Sequence, residues 1–305
     1  MQCLLLSVCA LIAVGSARAD AWQPPAGLTE VPIWPGRIPD PYPAPGPEVT
    51  TTRQDHLVGG RPWVWVEGVS RPTMTVYPPR GRNTGAALLV FPGGGYQGLA
   101  IDLEGTEVCD WLASRGITAV LLKYRAPTPK VGVAHASRQA PEDAQRTLGL
   151  VRSHAADWHI DPHKIGVIGF SAGGYMVTQM STLFDERAYA AVDAADEESR
   201  RPDFAIALYP GHLWYEGRPF ALRPNVRVTA KAPPTFLLQA ENDDVDNVNN
   251  SLVYYMALKN AGVPVEMHLY AEGGHAFGLR RTAYPVTAWP QLVETWLATI
   301  GMIPK

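Results

Sequence analysis

Gly169-Phe170-Ser171-Ala172-Gly173 follows the apolar run Ile165-Gly166-Val167-Ile168 and precedes a helix-like stretch, Tyr175 to Leu183. A serine between small residues at a strand-to-helix turn is lifted clear of the sheet, where its hydroxyl can act as a nucleophile. Upstream, the unbroken apolar run Ala86 to Phe91 reads as a buried strand and ends in Pro92-Gly93-Gly94-Gly95-Tyr96. A glycine triplet there lets backbone N–H groups close around a small anion, because no Cβ bars the approach. In acyl transfer the anion is the oxygen of the tetrahedral intermediate, and each such donor contributes on the order of 3 kcal/mol. The expected donors are the N–H of Ala172 and that of Gly93 or Gly94.

Downstream, Pro234 to Gln239 reads as another buried strand, followed by Glu241-Asn242-Asp243-Asp244-Val245-Asp246. Val265 to Tyr270 alternates apolar and polar positions as a half-exposed strand does, and runs into Gly273-Gly274-His275-Ala276-Phe277. The chain order is therefore serine, acid, histidine, one of the known orders of the serine triad. Each partner lies just past the C-terminal end of a strand, where open α/β sheets place their sites. Ser171 would attack an acyl carbon, His275 would take its proton, and a carboxylate would hold the imidazole tautomer. Asp243 is favoured as the first aspartate past the strand, Asp246 is next, and Asp244 belongs to the same loop.

Other residues with chemical side chains have structural readings. His159 and His163 stand four apart, but Asp161-Pro162 between them argues against the continuous helix a metal pair would need. His56, His135, His154, His212 and His268 lack a partner pattern, and Glu142-Asp143 reads as the acidic start of a helix. No metal or organic cofactor is implied. Tyr96 and Gln97, beside the glycine triplet, and Trp214 are candidates to touch substrate. Cys109, beside Trp111 and Leu112, reads as a small core residue.

The elements that must position these groups alternate strand and helix. After the glycine triplet comes a helix from Thr106 to Arg115 closed by Gly116, then a strand, Ile117 to Leu122. Pro141 reads as the start of a helix with Ala144, Leu148, Val151 and Ala155 on one side, and Pro290 opens a final helix. This rhythm implies an α/β fold with a mostly parallel central sheet, helices on both faces and short cap insertions. The 305 residues, 46% hydrophobic and 18% charged, suit one large domain over 20–305, and a net charge of −3 without a basic stripe excludes a nucleic-acid partner. Residues 20–50 read as an extended N-terminal arm anchored by Trp22 and Trp34. Asp185 to Pro202 is either an ordinary surface loop or a segment overhanging the site; His212 to Lys231, with Trp214 and Tyr215, favours a pocket role. Cys3 to Val14 is too short to span a bilayer and is followed by Ala17-Arg18-Ala19, so 1–19 reads as a signal peptide. The expectation is a secreted or periplasmic protein with no membrane contact after signal removal.

Pro92-Gly93-Gly94-Gly95-Tyr96, Gly169-Phe170-Ser171-Ala172-Gly173-Gly174 and Gly274-His275-Ala276-Phe277 together resemble secreted α/β-hydrolase esterases that strip acetyl or feruloyl groups from xylan. Pro32-Ile33-Trp34-Pro35-Gly36 and Arg71-Pro72-Thr73 look similar to that family too. The resemblance implies an α/β-hydrolase fold and a serine carboxylesterase acting on plant polysaccharide, acetyl ahead of feruloyl. Two departures stand out: Pro92 replaces the histidine of the lipase-like H-G-G-G pattern, and Gln239-Ala240 stands where many relatives carry His-Gly. A serine peptidase of the prolyl-oligopeptidase type is the alternative, though such enzymes typically carry tyrosine where this chain has Ala172. A non-catalytic hydrolase fold used for binding would normally lose the serine or histidine, and both are present. Glycosidic cleavage would require two facing carboxylates, for which the sequence gives no pattern.

Overall fold

The computed structural model describes residues 21–41, 46–126, 133–218 and 220–305; the expected signal peptide lies outside the described residues. Its centre is five strands whose every residue is buried: β5 (Ala87–Phe91), β7 (Thr118–Lys123), β8 (Ile165–Phe170), β9 (Ala205–Leu208) and β10 (Thr235–Ala240). They are near-continuous apolar runs because a parallel sheet is covered on both faces. The order in the eight-stranded sheet is β1 (Glu30–Pro32), β4 (Thr73–Tyr77), β7, β5, β8, β9, β10 and β11 (Val265–Tyr270). From β7 to β11 every pairing is parallel, while β4 is antiparallel to both neighbours. The mostly parallel sheet expected from the sequence is therefore observed.

Among the described residues five α-helices complete the layers: α1 (Glu107–Ser114), α2 (Val133–Ser153), α3 (Ala172–Thr182), α4 (Asn249–Asn260) and α5 (Trp289–Thr299). α1 meets the start of α5 through Trp111 and Trp289, whose rings stand 5.3 Å apart edge to face. Pro290 lies in the first turn of α5, as expected. α2 corrects the sequence reading, because it begins at Val133 and holds Pro141 in its interior. Consequently Glu142 and Asp143 are not an acidic helix start. They take the Arg125 guanidinium at 2.7 and 2.9 Å, in a buried network that Trp34 Nε1 joins by donating to Asp143 at 2.9 Å. Interior proline costs a helix about 3 kcal/mol, and α2 nonetheless continues through Pro141. The same contacts anchor the N-terminal arm: Trp34 is 5% exposed and sits edge-on to Tyr189 at 4.7 Å.

Of two further segments, one was left open by the sequence and the other was not foreseen. The loop Asp185 to Pro202 is fastened to α2, with Arg146 donating to Asp193 at 2.6 Å and to Asp196 at 3.0 Å, and does not overhang the site. A second sheet, unforeseen from the sequence, pairs β2 (Val49–Val58), β3 (Arg61–Glu67) and β6 (Leu99–Ala100). Part of the segment assigned to an extended arm is thus the first strand of a hairpin. β6 follows the glycine triplet after three intervening residues, and Ala100 N–H donates to Gly93 carbonyl at 3.0 Å. That bond joins the small sheet to the tip of β5.

Candidate active site

The turn between β8 and α3 places Ser171 at φ 52° and ψ −118°, a conformation an L-residue holds only at some strain. Its neighbours have no room for side chains: a Cβ on Gly169 would stand 2.2 Å from Gly173 carbonyl, and one on Gly173 would stand 2.0 Å from Phe91 carbonyl. Ser171 N–H donates to Leu208 carbonyl at 3.0 Å, fixing the turn to β9. The hydroxyl thus emerges at the C-terminal edge of the sheet.

His275 lies past β11, with its Nδ1 2.8 Å from Asp243 Oδ2. The Asp243 side chain is fully buried, and its other oxygen accepts the backbone N–H groups of Val245 and Asp246 at 3.0 and 2.9 Å. Gln239, one of the two sequence departures, braces this loop: its amide donates to Asp246 carbonyl and its Oε1 accepts Ser251 hydroxyl at 2.6 Å. Asp244 is exposed. Burial by itself would lower the His275 pKa, but the hydrogen bond and charge of Asp243, helped by Asp246 and Glu104, hold it above the ordinary histidine value.

Asp246, two residues past the exposed aspartate, reaches back to the serine. Ser171 hydroxyl donates to its Oδ2 at 3.2 Å, and His275 Nε2 is 3.8 Å from the same oxygen. Burial pushes the Asp246 pKa up, against the pull of His275 and His212. Catalytic hydrogen bonds often tighten only once substrate is bound, so a serine directed at Asp246 does not exclude transfer to His275.

The glycine loop divides its N–H groups. Gly93 N–H donates to the buried Glu104 carboxylate at 2.8 Å, which withdraws it from the pair of expected anion donors. Gly94 remains, at φ +138° and packed so closely that a Cβ would stand 2.1 Å from Gly98 carbonyl. The Gly94 N–H and that of Ala172, the first of α3, take no hydrogen bond among the described residues. Glu104 also accepts Tyr209 hydroxyl at 2.8 Å, and the Tyr209 ring lies edge-on to His275 at 4.9 Å. One carboxylate therefore ties the glycine loop to the histidine's surroundings.

Ser171, His275, Asp246, Gly94 and Gly95 line a cavity of about 370 Å³ together with Trp63 and Trp65 of β3 and Gln97. Of the three candidate substrate contacts Gln97 lines the cavity, and the other two lie elsewhere. Tyr96, at φ 58°, is 1% exposed and turns inward to donate to Ala172 carbonyl at 3.0 Å, beneath the serine turn. Trp214 donates from Nε1 to Arg218 carbonyl at 3.3 Å and is absent from the cavity wall. His212, which had no partner in the sequence, does line the cavity. Burial lowers its pKa, against an upward pull from Asp246. Sequence reasoning missed Trp63, Trp65, Glu104 and His212. The alternation Trp63-Val64-Trp65 after Gly59-Gly60, and an acid within the apolar run Leu99 to Glu104, were the available signals.

The chain matches the model of the prolyl oligopeptidase family over residues 109–300. It belongs to that family. Among curated relatives, an acetylxylan esterase of Xylanibacter ruminicola is 30% identical over 218 residues, 64% of this chain and 42% of the relative. An endo-1,4-beta-xylanase B of Butyrivibrio fibrisolvens is 29% identical over 207 residues, 62% of this chain and 32% of the relative. The chain thus spans less than half the length of these two. An acetyl ester-xyloside bifunctional hydrolase from Caldicellulosiruptor lactoaceticus superposes with a TM-score of 0.69 at 31% identity, covering 90% of this chain and 97% of that one. An α/β-hydrolase enzyme from a Medee basin deep-sea metagenome library gives a TM-score of 0.61 at 25% identity, over 83% and 98%. The fold of this prolyl oligopeptidase family member is the α/β-hydrolase fold.

Proposed function

We propose that the chain is a serine carboxylesterase that removes acyl groups, acetyl foremost and feruloyl second, from plant polysaccharide such as xylan. The observation that carries the reading is His275, held by the buried Asp243, lining the same cavity as a serine on a strained turn. In the proposed reaction Ser171 Oγ bonds to the acyl carbon while His275 takes its proton. Asp243 holds Nδ1–H, so that Nε2 is the basic nitrogen. The carbonyl oxygen gains negative charge against the N–H groups of Ala172 and Gly94. Collapse expels the sugar alkoxide, which takes the proton from His275, and leaves an acyl-enzyme that water hydrolyses by the same steps in reverse.

The names of the acetylxylan esterase and the acetyl ester-xyloside hydrolase support acetylated xylan as the substrate. So does the cavity, which pairs Trp63 and Trp65 with polar Gln97 and suits a sugar ring presenting a small acyl group. Export through the expected signal peptide fits a polymer met outside the cell.

The family model favours a second reading, a peptidase cleaving prolyl amides. One assay separates the two. The purified chain and its Ser171→Ala variant are compared on p-nitrophenyl acetate, acetylated xylan, methyl ferulate and a prolyl p-nitroanilide. The esterase reading expects ester turnover by the wild type alone and no release of nitroaniline. Prolyl amide cleavage without ester turnover would replace it with the peptidase.

A further inference from the structure

Asp246 is a carboxylate in the cavity that the triad does not use. Its Oδ2 lies 3.2 Å from Ser171 Oγ and 3.8 Å from His275 Nε2, within reach of both groups that handle the reacting proton. The side chain is 15% exposed. The other oxygen packs close to Gly211, where an added Cβ would stand 2.3 Å from Oδ1. Among the described residues the Ser171 hydroxyl is the hydrogen-bond donor to this carboxylate, and a serine has one proton to give.

Attack removes that donor. As Ser171 passes its proton to His275, Asp246 loses its hydrogen-bond donor; the imidazolium at 3.8 Å supplies charge but stands beyond hydrogen-bond distance, so an acceptor oxygen is left for a donor on the substrate. The proton's next destination is the leaving oxygen, which must come within hydrogen-bond distance of Nε2 and so into the neighbourhood of Asp246 Oδ2. A simple alcohol offers the carboxylate nothing. An alcohol with a free hydroxyl on the adjacent carbon holds a second donor about one hydrogen-bond length from the leaving oxygen, and an O–H donated to a carboxylate makes the stronger kind of hydrogen bond.

On the esterase reading, we infer that Asp246 is a specificity-determining residue that accepts a free hydroxyl next to the esterified one. The site then selects monoacyl esters of vicinal diols, the pattern of a partly acylated sugar. A site built to hydrogen-bond a substrate hydroxyl rejects the analogue lacking it, because its own polar group is left unpaired.

The test compares kcat/KM for 2-hydroxyethyl acetate and 2-methoxyethyl acetate, which differ by a methyl group that removes the donor. The wild type should prefer the hydroxyethyl ester by about tenfold. Asp246→Ala should bring the ratio close to one, and Asp246→Asn, with one neutral acceptor oxygen, should fall between. A wild-type ratio near one overturns the inference without any variant. So does a ratio preserved in Asp246→Ala, including a loss of rate on both esters alike, which would make Asp246 only the resting partner of the serine. If neither ester nor p-nitrophenyl acetate shows Ser171-dependent turnover, the esterase reading falls and takes this inference with it.

Discussion

Replacing Glu104 by alanine removes a carboxylate that is 1% exposed and accepts Gly93 N–H and Tyr209 hydroxyl, each at 2.8 Å. Hydrogen bonds to a charged group contribute about 1.5–3 kcal/mol each, so losing both sets an upper bound of about 6 kcal/mol. The net loss should be nearer 3 kcal/mol, because keeping this charge buried is itself unfavourable; burial pushes the Glu104 pKa up. The catalytic consequence is separate. Gly93 adjoins Gly94, and a displaced Gly94 N–H is a lost anion donor, which lowers kcat by about 10²-fold or more. KM should change little, since that donor acts on charge present only in the transition state. Glu104→Gln is the control: its carbonyl can accept Gly93 N–H and its amide can donate to the Tyr209 oxygen once that hydroxyl turns round. It should lose about 1 kcal/mol and recover most of kcat. Urea unfolding and steady-state kinetics on p-nitrophenyl acetate measure the two effects. A Glu104→Ala chain that keeps wild-type kcat would refute the claim that this carboxylate sets the glycine loop.

Four further outcomes are expected. Asp243→Asn should lower kcat on p-nitrophenyl acetate by about 10⁴-fold, whereas the exposed Asp244→Asn should stay within a few-fold. Because the folded His275 pKa is raised above 6.5 and catalysis needs the neutral ring, kcat/KM should climb with pH through a value above 6.5. The same raised value contributes stability that is complete below the unfolded pKa and lost as pH rises through the folded one. Asp243→Asn should therefore shift the acid limb of the rate profile downward and destabilise the fold more at low pH than at high pH, as denaturant unfolding across pH would show. Arg125→Met should destabilise by about 3–5 kcal/mol in thermal unfolding, by leaving Asp143 buried without its cation, and Asp143→Leu in the same chain should recover part of the loss. Trp63→Ala should raise KM for acetylated xylan more than for p-nitrophenyl acetate, since only the former presents a sugar ring to the β3 wall.

The residues legible in the sequence are those whose placement is enforced locally. Ser171 is marked by glycines two residues away on either side, because the backbone itself excludes a Cβ at both positions. Asp243 and His275 are marked by the buried or alternating strands directly before them, and β5, β7, β8, β9 and β10 are readable because two covered faces demand unbroken apolar runs. The hairpin of β2 and β3 has no such signature: most of β2 is exposed, so no apolar face announced it. Its tryptophans reach the cavity only because Trp65 pairs with Ala100, thirty-five residues along, and no local pattern encodes that register. Glu142-Asp143 failed for the same reason, since the Arg125 that holds them lies just past the end of β7, outside the helix.

The division between Asp243 and Asp246 shows where the boundary falls. Both were candidates for one role, and no periodicity distinguishes them in a loop. The loop's own hydrogen bonds do: by accepting the N–H groups of Val245 and Asp246, Asp243 stays beneath His275 and turns the chain so that Asp246 returns to the serine. The same turn that assigns one carboxylate to the imidazole thus leaves the other facing the substrate. A loop with one aspartate could have oriented the histidine alone; the second carboxylate adds its charge to that of Asp243 in favouring the imidazolium, and the acceptor oxygen it holds beside Ser171 is what the inferred choice of alcohol rests on.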